Sequence, residues 1–517
     1  MHRRPAFITT PIFYANAGPH IGHAYTLCVA DAWSRFSGIR HHPCLQAFPP
    51  HRTPMRPPQI TGFLSTGVDE HGSKISRTAS NLRFTPKQLC DQVSLQFRDL
   101  CKSLHVDASA FMRTTSERHM LTVQDVWRTL DKSDHLYWSA YSGWYSTTDE
   151  AFYSDWEVDT SPLGAVSKTS GNQVHWVEEE TFRFRLSAFK PKLHVWLDSG
   201  VLPNESPEHA GLLALTHKTL DRLEDPCVSR PSSRVPWGIP VPGRIDQTIY
   251  VWFDALMNYL TAGGVSFTAD GNSQALWPPD IHFVGKDILC FHAILWPAIL
   301  MALDLPLPKK IIPHGHILVG GTKMSKSLGN VLSPADVLGD LSRALSVSPV
   351  HGEVDAESVA SDCLRYCLVR SVITSKKIAP NQTAPMLDLA EAQQFLSAPA
   401  DAKFFNDLSQ LPFVFDDFWW DRLLPNRSVD AVMHVVRQTN AFVDRHKPWA
   451  AGGDGDAQAV VGVALEALRL VGCCLSPLTP YLSNRLLNCL GLHPGKLRGH
   501  SWRLDLTHQP LIPRLNV

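Results

Sequence analysis

Two short motifs stand far apart in this chain, and each follows an apolar run that is typical of a β-strand. The first reads HIGH at residues 20–23 and comes after the run 6–14, at the start of a helix-like segment, 19–36. The second reads KMSKS at residues 323–327 and comes after the run 311–319. Either motif alone is short enough to arise by chance, and the lysine motif alone would be a solvated basic turn. Their order and their placement after two strands favour one nucleotide site on an α/β fold.

The first motif lies where a helix is expected to begin. Pro19 suits the first turn of a helix, and apolar side chains then follow at helical spacing. The unpaired amides and the positive dipole at a helix start favour phosphate. His20 and His23 lie three positions apart, within reach of the same anion. Two histidines alone would be caps or solvent-facing side chains, but the strand before them favours phosphate binding.

Composition limits the class of protein. A chain of 517 residues is too long for one compact core and predicts about three domains. The 48 basic and 49 acidic side chains nearly cancel, so any nucleic-acid contact has to come from a local patch. No uninterrupted apolar run is long enough to span a bilayer, and we expect a soluble enzyme without membrane contact. The eleven cysteines match neither a zinc-ribbon spacing nor a disulfide framework, which predicts a reducing compartment and no structural zinc.

A second candidate ligand segment reads FLSTGVDEHG at residues 63–72. It predicts a short strand with an acidic tip that glycines flank. Carboxylates at the carboxyl end of a parallel strand are where open α/β sheets contact their ligands. The proline-rich stretch 40–62 before it has little apolar periodicity and predicts an irregular insert.

A series of segments, in the same order along the chain, resembles one family. The segments read TTPIFYAN at 9–16, PHIGHAY at 19–25, DEHG at 69–72, YSGWY at 141–145, WGIPVPG at 237–243, YVWFDALMNY at 250–259, HFVGKD at 282–287 and KMSKSLGN at 323–330. The series resembles the methionyl-tRNA synthetases, a family of class I aminoacyl-tRNA synthetases, in their compact bacterial and mitochondrial form. The connecting domain of that form can lack zinc knuckles, and this chain has no Cys-x-x-Cys pair.

The resemblance implies an α/β fold with a class I Rossmann-like nucleotide-binding catalytic domain. A connecting insertion would split this domain, and an all-α anticodon-binding bundle would follow it. The expected domains are 1–115, the first half of the catalytic domain with the irregular insert; 116–228, the connecting domain without zinc; 229–320, the second half of the catalytic domain; 321–380, the lysine-loop and stem-contact region; and 381–517, the helical anticodon-binding domain.

The resemblance also assigns roles to individual residues. Those expected to bind ATP are His20, Gly22, His23, Asp287, Lys323, Ser325 and Lys326. The expected catalytic residues, which would stabilise charge on phosphate and pyrophosphate, are His20, His23, Lys323 and Lys326. The methionine pocket would be formed by Ile12, Tyr14, Trp252, Ala255, Tyr259, Ile288 and His292, with Asp69 on the methionine ammonium. Asn440 and Trp449 would contact the tRNA anticodon.

Simpler interpretations of several of these residues stay open at this point. Trp252 and Tyr259 stand seven positions apart on what reads as one apolar helix, where core packing is the usual role. His292 lies among apolar neighbours and fits a core histidine. Asp287 stands at the start of a helix and fits an N-cap.

The last third of the chain predicts helices. Apolar stripes run over 429–443 and 460–475, and a third helix opens at Pro480. The stretch 341–360 reads as longer and more irregular than the family's. Gln410 stands where the family carries an arginine that faces the anticodon.

The resemblance therefore implies a methionine:tRNA ligase that forms methionyl-adenylate and passes methionine to the 3′-terminal ribose of tRNA(Met). ATP would enter with Mg²⁺ as a substrate complex, and neither zinc nor another protein-bound metal is expected. We expect a monomer, and prefer the mitochondrial matrix over the cytoplasm. The alternatives are a catalytically impaired paralogue that binds tRNA or a partner, a class I ligase for an aliphatic amino acid, and a small-molecule adenylyltransferase.

Overall fold

The computed structural model describes residues 4–40, 62–147, 151–153, 155–161, 164–168, 170–203, 207–267, 276–315, 317–319, 322–323, 331–346, 355–370, 399–447 and 454–490. Contacts divide the chain into two compact units. Unit 1 consists of residues 1–23, 63–100 and 108–323, and unit 2 consists of residues 24–62, 101–107 and 324–517.

The strands, in chain order, are β1 Phe7–Thr9, β2 Phe13–Tyr14, β3 Phe63–Asp69, β4 Ala110–Arg113, β5 Leu136–Ser146, β6 Ala151–Tyr153, β7 Val158–Ser161, β8 Gly164–Ser167, β9 Gln173–Phe184, β10 Ser229–Pro231, β11 Pro240–Val241, β12 Arg244–Ile249, β13 Ile281–Gly285, β14 Ile311–His314, β15 Leu318–Val319 and β16 Thr322–Lys323. The α-helices are α1 Ile21–Ile39, α2 Ser73–Asn81, α3 Pro86–Ser103, α4 Glu117–Lys132, α5 Lys190–Trp196, α6 Pro207–Arg222, α7 Val251–Leu256, α8 Asn258–Gly263, α9 Trp296–Ala302, α10 Pro334–Ser346, α11 Ala356–Arg370, α12 Pro399–Asp416, α13 Pro425–His446, α14 Asp454–Leu475 and α15 Pro480–Cys489. None of these helices, over the residues that the structure describes, is long and apolar enough to cross a bilayer.

A parallel sheet forms the centre of unit 1. Its strand order is β14-β13-β1-β3-β2, and β4 also pairs with β3. Every pairing in this sheet is parallel, so the strands end at the same edge. Most residues of β1, β3 and β13 are buried, as in sheets with both faces covered. The α/β fold expected from the sequence is confirmed.

Both predicted motif strands are shorter than the apolar runs suggested. The run 6–14 forms two strands, because Pro11 has no amide hydrogen with which to continue the ladder. β1 therefore ends at Thr9, and the next residue, Thr10, donates its amide to the carbonyl of Ser65 at 3.0 Å. The run 311–319 likewise divides into β14 and β15.

Two antiparallel sheets of unit 1 lie between the two halves of the parallel sheet in sequence. One has the order β6-β5-β9-β8-β7 and the other β10-β12-β11. A buried ion pair joins them, in which Arg230 Nε and Nη2 donate to the two carboxylate oxygens of Glu179 at 2.7 and 2.8 Å. A paired, bidentate geometry of this kind lets two charges stay inside a protein.

Unit 2 contains most of α1 and the helices α10 to α15. The terminal helices expected from the apolar stripes are confirmed as α13, α14 and α15. The expectation of an irregular stretch at 341–360 is wrong for its two ends, because α10 continues to Ser346 and α11 begins at Ala356. Residues 347–354 between them lie outside the described part of the chain.

A fully buried arginine connects separate parts of unit 2. Arg365 Nη2 donates to Asp31 Oδ2 on α1 at 2.6 Å. The same guanidinium donates to the main-chain carbonyls of Leu104, Pro477 and Leu478 at 2.8 to 2.9 Å. Burial by itself raises the pKa of Asp31, but Arg365 and Arg35 outweigh it and hold that pKa below its usual value. The pair is therefore charged, and removing either partner leaves a buried charge at a cost of about 3–5 kcal/mol.

Asp362 on α11 predicts a pH-dependent stability. Its Oδ2 accepts the amide of Leu482 at 2.7 Å, and burial raises the pKa of its carboxyl to about 6. The folded chain thus holds this proton more tightly than the unfolded chain, so stability falls as pH rises from about 4 to about 6. Asp362→Asn keeps the carbonyl acceptor and removes the charge. We expect it to raise the free energy of unfolding by about 2 kcal/mol at pH 8 and by much less at pH 4.5.

Urea unfolding of the parent chain and of Asp362→Asn, at pH 4.5 and at pH 8, measures this effect. Asp336→Asn is the control, because Asp336 is exposed on α10. An equal effect of Asp362→Asn at both pH values would show that its carboxyl does not titrate in this range.

Candidate active site

The two histidines of the first motif lie side by side at the start of α1. Their ring centroids are 3.7 Å apart. Phe13 and Phe97 pack on His23 at centroid distances of 4.8 and 5.1 Å. His20 immediately precedes the helix and His23 lies in its first turn, so their spacing in sequence places both at the helix start. The structure brings these two expected ATP residues together.

Backbone amides fix the protonated nitrogen of each ring. His23 Nδ1 accepts from the amide of His20, and His20 Nδ1 accepts from the amide of Gly22, both at 3.1 Å. An imidazole whose Nδ1 accepts is neutral and carries its proton on Nε2. Burial and, second, the neighbouring His20 lower the pKa of His23 well below its usual value. Both rings therefore offer an Nε2–H donor at a helix start, where an anion is favoured.

The expected methionine residues Trp252 and Tyr259 lie on two short helices, so the interpretation of one apolar helix is wrong. The helix is interrupted at Met257, between α7 and α8. Trp252 stacks on Phe291, with ring centroids 3.8 Å apart. Ala255, on the same helix as Trp252, is buried.

Tyr259 and His292 contact each other directly. Tyr259 Oη lies 2.8 Å from His292 Nε2, and His292 Nδ1 lies 3.0 Å from the carbonyl oxygen of Ile288. Because a carbonyl only accepts, His292 donates through Nδ1–H, and its Nε2 accepts a hydrogen bond from the hydroxyl of Tyr259. Burial lowers the pKa of His292 to about 4 and raises the pKa of Tyr259. Both groups are uncharged at pH 7, which suits a pocket for a neutral thioether chain.

Sequence reasoning missed a buried group behind this pair. Trp296 Nε1 donates to His282 Nε2 at 3.2 Å, and His282 Nδ1 lies 2.5 Å from Thr9 Oγ1. The ring of His282 also lies 4.3 Å from that of Tyr259. The signal was a histidine inside a strand whose other residues are apolar, because such a side chain needs partners when it is buried.

The acidic tip at the end of β3 contains two carboxylates with different surroundings, Asp69 and Glu70. Glu70 accepts from Arg113 Nε at 2.7 Å and from the hydroxyl of Thr115, so it anchors the loop. Asp69 is the last residue of β3, next to Tyr14 in the ladder, and is largely buried. Of the two, Asp69 stands at the strand end, where ligands of parallel sheets bind.

For the other residues expected in the site, the structure gives the position or the burial but fewer contacts. Ile12 and Ile288 are half-buried. Asp287 is exposed in the 3₁₀ turn 286–288, which Gly285 caps, so the N-cap interpretation of Asp287 is wrong. Lys323 belongs to β16, where its backbone pairs with Leu318. Ser325, Lys326 and Trp449 lie outside the described residues, and Asn440 is exposed on α13 of unit 2.

Comparison with known proteins now decides the family. The family described as tRNA synthetases class I (M) matches residues 6–48, 53–174 and 162–379. The chain belongs to the methionyl-tRNA synthetases of class I. The resemblance drawn from the motifs is confirmed.

Curated methionyl-tRNA synthetases match over nearly the whole chain. The mitochondrial methionine–tRNA ligase of Xenopus laevis is 37% identical, and the match covers 96% of this chain and 87% of that protein. The human mitochondrial methionine–tRNA ligase is 37% identical, with 94% and 84% covered. The methionyl-tRNA synthetase of Mycobacterium tuberculosis in complex with methionyl-adenylate superposes with a TM-score of 0.80 at 27% identity, covering 99% of this chain and 100% of the other.

The part of the chain that the structure describes contains no group of three or more His, Cys, Asp or Glu side chains arranged to hold a metal ion.

Proposed function

We infer that this chain is a methionine–tRNA ligase, which activates L-methionine with ATP and transfers it to tRNA. The observation that carries this conclusion is its similarity, over nearly the whole chain, to methionine–tRNA ligases and to a synthetase structure that holds methionyl-adenylate. The two curated relatives compared above, from Xenopus laevis and human, are mitochondrial, and we assign the chain to mitochondria. We further propose the matrix as its compartment and a monomer as its working form.

Adenylate formation needs charge stabilisation and positioning rather than a base. The ionised carboxylate of methionine attacks the α-phosphorus of ATP, a new O–P bond forms, and the bond to pyrophosphate breaks. Negative charge grows on the phosphate oxygens during this step. The Nε2–H donors of His20 and His23 at the start of α1 are suited to stabilise it. By the resemblance, Lys323 and Lys326 neutralise the departing pyrophosphate. Gly22 and Ser325 contact ATP, and Asp287 is proposed to lie near the ATP ribose or the amino-acid substrate.

The methionine site is proposed from the residues that meet at the ends of the parallel strands. Asp69 takes the ammonium, because a carboxylate at the end of β3 is the acidic group next to Tyr14. The uncharged pair Tyr259 and His292 forms a wall for the thioether chain. Completing the pocket are Ile12, Trp252, Ala255 and Ile288.

The alternatives raised by the sequence gain no support. Nothing in the described residues or the comparisons favours a catalytically impaired paralogue, since the histidine pair is in place. A ligase for another aliphatic amino acid and a small-molecule adenylyltransferase are both disfavoured by the names of the relatives.

Methionine-dependent exchange of labelled pyrophosphate into ATP tests the proposed function. The purified chain is assayed without tRNA, beside leucine, isoleucine, valine and cysteine. Exchange with methionine alone is the expected result. Exchange with another amino acid would overturn the substrate, and folded protein without any exchange would favour the impaired paralogue.

Recognition of tRNA(Met) is proposed for the helical region, and Asn440 provides its test. Asn440→Ala on α13 is expected to reduce kcat/KM for tRNA charging by about tenfold, since one lost base contact costs about 1–3 kcal/mol. Pyrophosphate exchange should not change, because adenylate forms before tRNA is used. Trp449→Ala is expected to act in the same way.

Asp430→Ala, near the other end of the same helix, is the control. Equal losses of charging and exchange in the Asn440 or Trp449 variant would mean that the residue supports folding rather than tRNA recognition.

A further inference from the structure

One carboxylate on α7 links two buried histidines from other parts of unit 1. Asp254 Oδ2 lies 2.7 Å from His71 Nδ1, and Asp254 Oδ1 lies 2.7 Å from His119 Nε2. Their exposed fractions are 1% for Asp254, 5% for His71 and 0% for His119. None of the three is among the residues assigned to ATP or methionine above.

The charge state of the group follows from its contacts. Burial by itself raises the pKa of Asp254, but the charges and hydrogen bonds of His71 and His119 outweigh it and lower that pKa below its usual value. The carboxylate is therefore ionised and only accepts. His71 Nδ1 and His119 Nε2 consequently both carry a proton and donate to it.

The three side chains connect the segments that carry the proposed methionine contacts. His71 stands two residues after Asp69, and Asp254 stands between Trp252 and Ala255. On its other nitrogen, His119 Nδ1 lies 3.1 Å from Thr261 Oγ1, two residues after Tyr259. His119 itself belongs to α4, which carries none of these contacts.

The position of helix α7 is not determined by the helix alone. It has six residues and no side-chain hydrogen bond at its N-cap, and so short a helix is not stable in isolation. Its placement depends on tertiary contacts. Phe253, fully buried, packs on Trp127 of α4 at a centroid distance of 5.6 Å, but an apolar contact of this kind tolerates small shifts. The two hydrogen bonds of Asp254 set direction as well as distance, because both depend on geometry.

We propose that Asp254, His119 and His71 are positioning residues for methionine, which hold α7 so that Trp252 and Ala255 are in place before the amino acid binds. Binding to a pocket that is already formed is more favourable, because less conformational entropy is lost when fewer groups have to be ordered. This inference rests on the proposed function, and it assigns to the three residues an effect on methionine binding rather than on ATP chemistry.

Asp254→Asn and His119→Ala test the proposal in the pyrophosphate-exchange assay. Each is expected to raise KM for methionine by about 10- to 100-fold, since a shift of about 1 Å in a positioned group has effects of that size. The KM for ATP, and kcat at saturating methionine, should stay within about threefold of the parent values. His119→Gln can again present an N–H to the carboxylate and is expected to recover most of the loss.

Val123→Ala is the matched control for lost stability. Val123 is fully buried on α4, one turn after His119, and makes no hydrogen bond through its side chain. The proposal would be overturned if Val123→Ala raised the KM for methionine as much as Asp254→Asn does. It would also be overturned if the KM of Asp254→Asn for methionine equalled that of the parent chain. If His119→Ala does not fold, Asp254→Asn and His71→Gln decide the same question. Failure of the proposed function is distinguishable, because the parent chain itself would then show no exchange with methionine.

Discussion

His23→Ala is expected to reduce kcat for methionine-dependent pyrophosphate exchange by about 100- to 1,000-fold, the usual cost of one donor that stabilises transition-state charge. The KM for methionine should change little, because the contact strengthens only as charge grows on the phosphates. His23→Gln keeps an N–H at a reach similar to that of Nε2 and is expected to recover at least tenfold of this loss. Steady-state pyrophosphate exchange measures kcat and the KM for methionine of each variant.

The pH profile separates a neutral donor from a cationic one. A cationic histidine loses its charge as pH rises through about 6.5, so activity that depended on it would fall there. The pKa of His23 is already lowered by burial and by His20, so the ring is neutral across this range. We therefore expect no loss of kcat from this group between pH 6.5 and 8. His135→Ala is the control for removing an imidazole, because His135 is a histidine of unit 1 that packs on Phe189. A kcat for His23→Ala equal to that of the control would remove His23 from the mechanism.

Asp69→Asn should raise KM for methionine by about 100-fold, because a charged hydrogen bond to the ammonium contributes about 1.5–3 kcal/mol and its loss leaves that charge poorly paired. The KM for ATP should stay near the parent value. The variant keeps the size of the side chain at the end of β3, so the effect reports charge rather than packing.

Two competitive inhibitors locate the effect on the ammonium. L-Methioninol carries the ammonium and the thioether, whereas 4-(methylthio)butanoate carries the thioether and a carboxylate but no ammonium. Asp69→Asn should weaken the first strongly and leave the second almost unchanged. Glu70→Gln is the control, because the carboxylate of Glu70 accepts from Arg113 and Thr115. Equal weakening of both inhibitors would mean that Asp69 holds the loop and does not contact the ammonium.

The elements nearest the motifs were predictable, because they rest on local patterns. A strand followed by Pro19 and two histidines specifies a helix start, and the structure has α1 beginning at Ile21. The same kind of pattern gave α14 and α15, where proline and apolar spacing coincide. Local reasoning failed where one residue ends a strand early, as at Pro11, or where a helix is interrupted without proline or glycine, as at Met257.

Long-range partners could not be predicted at all. The carboxylate of Asp254 lies 135 positions from His119 in sequence, and nothing local to either residue indicates the other. The partners of His282, Trp296 and Thr9, are likewise distant in sequence or lie on another strand, and the pattern of its own strand does not indicate them. Buried polar side chains require partners, but which ones they find depends on how the elements pack.

The buried pair of Arg365 with Asp31 has a consequence for the order in which the chain can mature on a ribosome. The two residues are 334 positions apart, so at about 5–20 residues per second Arg365 is synthesised roughly 20 to 70 s after Asp31. During that interval the carboxylate that ends up without solvent contact has no guanidinium from α11. The first helix of the chain therefore cannot reach its final surroundings while it is being made, and a nascent chain halted before α11 presents an incompletely covered helix to chaperones and proteases.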